Sequence, residues 1–86
     1  MDKVEKTLDM GGIPTWEFVQ YFEELGCKQE GEDTFLDKNW RVNLVESEEM
    51  LGSIKMTRVK ITFIGDEKII DHVITNFRKM FMRAGG

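Results

Sequence analysis

The sequence predicts an α+β fold: a two-layer sandwich in the order β-α-β-β-β-α, its sheet mainly antiparallel, with both helices on one face. Three observations lead there. Segments 13–26 and 66–84 carry apolar residues at helical spacing. The stretches near 4–10, 34–45 and 54–64 carry them in alternation or in β-rich runs. The chain has 86 residues, 41% hydrophobic and 33% charged, which is one domain (1–86) with a single core.

The first strand sets Val4, Lys6, Leu8 and Met10 against Glu5, Thr7 and Asp9, with Lys6 the one flaw in the apolar row. Gly11-Gly12 end it. In IPTWEFVQYFEELG, Phe18, Phe22 and Leu25 fall at i, i+4 and i+7, with Val19 beside them. Pro14 suits the first turn, Thr15 is a candidate cap, and Gly26 stands where a left-handed residue stops a helix. EGEDTFLDKNWRVNLVE reads as a hairpin turning at Asp37-Lys38-Asn39. Trp40, Val42 and Leu44 face one way; Arg41, Asn43 and Val45 face the other.

SIKMTRVKITFIG is the strongest β run. Val59, Ile61 and Phe63 share a face, whereas Ile54 and Met56 have the opposite parity. Either a β-bulge near Thr57-Arg58 shifts the strand, or residues 54–56 belong to the preceding loop. In the last helix Ile69, Ile70, Val73, Ile74, Phe77 and Phe81 form a stripe. Asp66 and Glu67 stand at its positive end, and Arg78, Lys79 and Arg83 at its negative end.

The second sheet face then carries Glu5, Thr7, Asp9, Arg41, Asn43, Arg58, Lys60 and Thr62, with Val45 and Ile64 as apolar exceptions. It offers no aromatic ring for a base to stack on. With a net charge of -4, nucleic acid is not an expected partner. No stretch approaches the ~20 apolar residues of a membrane span. Residues 1–6 do not read as a secretory signal, and a cytoplasmic protein is expected.

Catalysis is not expected either. The single cysteine, Cys27, follows the end of a helix and lacks the electropositive start that activates a thiol. His72, the only histidine, has no third residue to orient it. Ser47 and Ser53 sit in no nucleophile-elbow pattern, and no glycine-rich phosphate loop is present. One cysteine excludes an internal disulfide and a cysteine-rich zinc site.

Two groups of residues remain as candidate sites. Glu30, Glu32 and Asp33 precede the hairpin, and Glu46, Glu48 and Glu49 follow it. They are expected at its open end, as a weak site for calcium or another hard divalent cation, or as a face for a basic partner. Trp16, Tyr21, Met50 and Leu51 lie off the apolar stripes, the last two in an expected loop. They are the candidate contact surface for an unknown protein partner or for a second copy, as in a dimer. The leading expectation is a small interaction module without catalytic activity. The alternative is weak cation binding, and a further alternative is a Gly-Gly-terminated modifier or sulfur carrier.

Two short resemblances bear on that last reading. LDMGGIP resembles the opening of the small sulfur-relay proteins, LD-x-x-G-x-x-C-P-x-P, through Leu8, Asp9, Gly12 and Pro14. Ile13 stands where their cysteine would be, two residues are missing, and no function is carried over. The ending KMFMRAGG is similar to the tail of ubiquitin-like proteins, which are activated at a terminal Gly-Gly carboxylate. Those proteins resemble β-β-α-β in order, with a tail that leaves a strand. Here a helix running through Ala84 leaves two or three free residues, so Gly85-Gly86 are expected to end that helix.

Overall fold

The computed structural model describes residues 3–81. The elements are β1 (Lys3–Gly11), α1 (Thr15–Glu24), β2 (Lys28–Glu30), β3 (Thr34–Leu36), β4 (Trp40–Leu51), β5 (Ile54–Asp66) and α2 (Glu67–Phe81). The strands make one antiparallel sheet in the order β1-β5-β4-β3-β2, covered by both helices on one face. The expected α+β order holds, with β2 added at an edge. Lys28, Gln29 and Glu30 are all exposed, so no apolar pattern marks that strand.

The core follows the periodicities. Val42 and Leu44 from β4, and Val59, Ile61 and Phe63 from β5, meet Phe18 and Phe22 of α1 and Ile70, Ile74 and Phe77 of α2. Phe22 is the hub. Its ring stacks on Phe77 at 5.7 Å and on Phe35 at 5.8 Å, and stands edge-on to Phe63 and Trp40.

Helix ends show which chemistry is used. Thr15 is not the cap of α1. It is the first helical residue, and its hydroxyl donates across to the Glu46 carboxylate on β4. Pro14 takes the cap position with extended backbone. At the other end Gly26 has φ +89, its N–H donates to the Glu23 carbonyl, and the Cys27 N–H donates to the Phe22 carbonyl. That pair of bonds closes the helix around a left-handed glycine. Asp66 caps α2 by accepting the Lys68 N–H at 3.0 Å.

The β4–β5 hairpin departs from expectation. Its register is unbroken from Trp40 opposite Gly65 to Leu51 opposite Ile54, so there is no bulge at Thr57-Arg58. Residues 54–56, and Met50-Leu51 with them, are strand rather than loop. Gly52, at φ +65, permits a two-residue turn at Gly52-Ser53, and this lets both strands run on. The parity conflict has a simpler cause than a bulge: among the described residues no helix covers this end. β1 stops opposite Arg58 and β3 stops opposite Asn43. Beyond these points β4 and β5 continue as a two-stranded arm, and the molecule measures 46 × 29 × 22 Å.

Candidate functional site

The described residues carry little reactive chemistry. The Cys27 thiol is partly covered, and its pKa is pushed up to about 11, first by burial and then by the charge of Asp37. A thiol so shifted is protonated near neutral pH and is a poor nucleophile. His72 is exposed, with Nε2 3.3 Å from the Asn76 amide as its hydrogen-bond partner among the described residues. An open cleft of about 720 Å³ at the end opposite the arm is lined by Lys3, Lys38, Arg41, Trp40 and Ile64.

The six candidate carboxylates are strung out. Glu30 ends β2, and Glu32 and Asp33 occupy the turn into β3. The Asp33 carbonyl accepts the Leu44 N–H at 2.8 Å, which places that turn against β4. Glu46, Glu48 and Glu49 continue along β4, away from the turn. Glu46 receives the Thr15 hydroxyl, Glu48 faces Lys55 at 3.7 Å, and Glu49 faces Arg58 at 3.4 Å. Among the described residues no three or more His, Cys, Asp or Glu side chains are grouped to hold a metal ion.

The four candidate contact residues do not form one patch. Tyr21 is half-buried against Phe22, Phe77 and Phe81. Trp16 is 64% exposed on α1. Met50 and Leu51 are exposed near the tip of the arm, on opposite faces because successive strand residues alternate.

The remaining feature is where the chain leaves the body. α2 starts at the end of β5 and packs on β5 and β1, so it runs back along the sheet toward the arm. Its last described residue, Phe81, is anchored by Phe18 and Phe77, each at 4.8 Å, and by Tyr21 at 5.3 Å. Phe18 belongs to the first half of α1, the half whose Thr15 touches the base of the arm. The described part of α2 therefore ends on the arm side of the helix layer. The expected helical run through Ala84 and the expected stop at Gly85-Gly86 lie outside the described residues, as does Met82.

The described residues form a small two-layer α+β domain in which no side chains assemble a reactive centre, and the sequence carries Gly-Gly beyond Phe81. Residues 6–86 match the family described as Archaeal MoaD-like protein, and the chain belongs to that family. No curated protein matches the chain. No helix among the described residues is long and apolar enough to cross a membrane. The match includes Gly85-Gly86, the pair expected from the sequence to end the last helix.

Proposed function

We propose that the protein is a sulfur carrier of the MoaD-like type, loaded as a thiocarboxylate on Gly86. The observation that carries this reading is the family match, which runs through Gly86 itself. It moves the sulfur-carrier alternative ahead of a general interaction module. Five residues follow Phe81, the last described residue. Five extended residues span at most about 17 Å. Two terminal glycines present no side chain to the walls of a narrow channel, which suits a chain end that must reach a nucleotide.

The chemistry needs only a free carboxylate on Gly86. That carboxylate attacks the α-phosphorus of ATP and expels pyrophosphate, leaving an acyl adenylate. A hydrosulfide-level sulfur donor attacks the acyl carbon, and the C–O bond to AMP breaks. The product is the thiocarboxylate and free AMP. A partner enzyme provides the catalysis, which fits a body without a reactive thiol or an oriented histidine. ATP and such partners place the work in the cytoplasm.

Mass spectrometry of the chain after incubation with an archaeal cell extract, ATP and sulfide tests this. The expected product has one oxygen of Gly86 replaced by sulfur, with an adenylate accumulating when sulfide is withheld. A chain lacking Gly86 should stay unmodified. If the full chain is recovered with neither an adenylate nor a thiocarboxylate, the carrier reading is wrong.

A further inference from the structure

We propose that the outer edge of β4, from Glu46 to Leu51, docks an extended basic segment of another protein, which joins the sheet as an added strand. This goes beyond the carrier reading and does not depend on it.

Backbone direction is the first observation. The Leu44 N–H points away from β5, since it donates to the Asp33 carbonyl. Backbone groups alternate along an antiparallel strand. Glu46, Glu48 and Met50 therefore also aim N–H and C=O away from β5, while Val45, Ser47, Glu49 and Leu51 bond to it. β3 pairs only as far as Asn43, and among the described residues no strand lies beside the rest of β4. The open run is about 20 Å long at ~3.3 Å per residue. The other edge of the arm is shorter, because the Gly12 N–H already takes the Thr57 carbonyl at 3.1 Å.

The edge lacks most of the usual protections, and the charge it carries is of one sign, from Glu46, Glu48 and Glu49. Natural sheets blunt long edges with proline, bulges, lysines or a covering element. Residues 46–51 contain neither proline nor lysine, and the register has no bulge. Strand addition at such an edge draws affinity from main-chain hydrogen bonds and selectivity from flanking side chains.

Charge selects the occupant. Glu46 and Glu48 flank the edge on the helix side, and Glu49 flanks it on the open side. The edge begins at the turn that holds Glu32 and Asp33, next to Glu30. A second copy pairing β4 with β4 about a two-fold axis sets Glu48 against Glu48, or Glu46 against Glu48 in the neighbouring register. Like charges directly opposed are unfavourable, whereas Lys or Arg opposite these carboxylates is favourable. Toward the tip the flanking groups become Met50 and Leu51, with Ile54 64% exposed across the hairpin. The fitting segment is thus extended and basic, with apolar residues at the end nearer the tip. Glu46, Glu48 and Glu49 lie along this track, and Glu32 and Asp33 stand in the turn at its start.

Titration of 15N-labelled protein with a short peptide of alternating Lys and Val is the test. Saturable shifts and slowed hydrogen exchange are expected at the Glu46, Glu48 and Met50 amides. A peptide with Glu in place of Lys should leave them unmoved. Glu48→Pro removes an outward N–H and none of the bonds to β5, and Glu48→Lys leaves the backbone intact. Each should weaken the peptide by about tenfold or more. Equal binding by both variants, shifts scattered over unrelated acidic residues, or the same amides responding to protein concentration without peptide would each overturn the proposal.

Discussion

Lys6 Nζ donates to Asp71 Oδ1 at 2.6 Å, tying the edge strand β1 to α2. This explains the one flaw in the apolar row of β1. Val4, Leu8 and Met10 face the helix layer with Lys6 between them, but β1 is an edge and α2 lies over it. A lysine stem can lie along apolar surface while its amine reaches a carboxylate at the rim.

That contact has a pH signature. The Asp71 hydrogen bond raises the Lys6 pKa above its ordinary 10.5. Desolvation opposes the rise, and the charges of Asp71 and Glu67 add to it. A raised amine pKa means the folded state holds the proton more tightly. The stabilisation is complete below 10.5 and is lost as pH rises through the folded value. Lys6→Met should melt slightly below the wild type at neutral pH, and the gap should close in alkaline solution. A gap unchanged across that range would show that the pair contributes nothing.

The β5–α2 junction depends on a missing side chain. A Cβ on Gly65 would lie 2.7 Å from the Asn39 carbonyl oxygen and 3.0 Å from Trp40 Cβ. The first obstacle is backbone, in a turn held by the bond from the Asp37 N–H to the Trp40 carbonyl at 2.9 Å. Gly65→Ala should cost about 1–3 kcal/mol by urea unfolding, as overpacking does. Gly11→Ala is the comparison: its close neighbour is the far end of Arg58, which can move. A similar loss in both would remove the steric explanation.

Phe22 joins both helices to the sheet. It is fully buried and meets rings from α1, α2, β3, β4 and β5. Phe22→Ala should cost about 3–5 kcal/mol, against total stabilities of about 5–15 kcal/mol for domains in general. Denaturant unfolding measures it. Trp16→Ala, an exposed change on the same helix, should cost well under a third of that.

How far the sequence could be read follows from what packs against what. Trp40, Val42, Leu44, Val59, Ile61 and Phe63 were legible because a helix layer covers one side of their strands, so parity tracks burial. Ile54, Met56, Met50 and Leu51 mislead for the opposite reason, since among the described residues no layer covers the arm on either side. The Asp37-Lys38-Asn39 turn was legible from residue type. The Gly52-Ser53 turn carries the same kind of signal, because Gly52 supplies the positive φ that a two-residue hairpin needs. The Gly-Gly ending was visible but ambiguous, because helix stops and carrier tails use the same residues.

Cys27 sharpens the division between body and tail. Its thiol pKa is raised to about 11 from an ordinary 9.0, with burial as the larger cause and Asp37 as the smaller. A shift of about two units lowers the thiolate fraction near neutral pH by roughly 100-fold. Alkylation by iodoacetamide at pH 8 should therefore be slow in the folded protein, climb as pH approaches 11, and reach ordinary speed in urea. If Gly86 is the sulfur-bearing group, Cys27→Ser should still yield the thiocarboxylate in full. Fast alkylation of the folded chain, or loss of the thiocarboxylate in Cys27→Ser, would move the sulfur chemistry from the tail to the thiol.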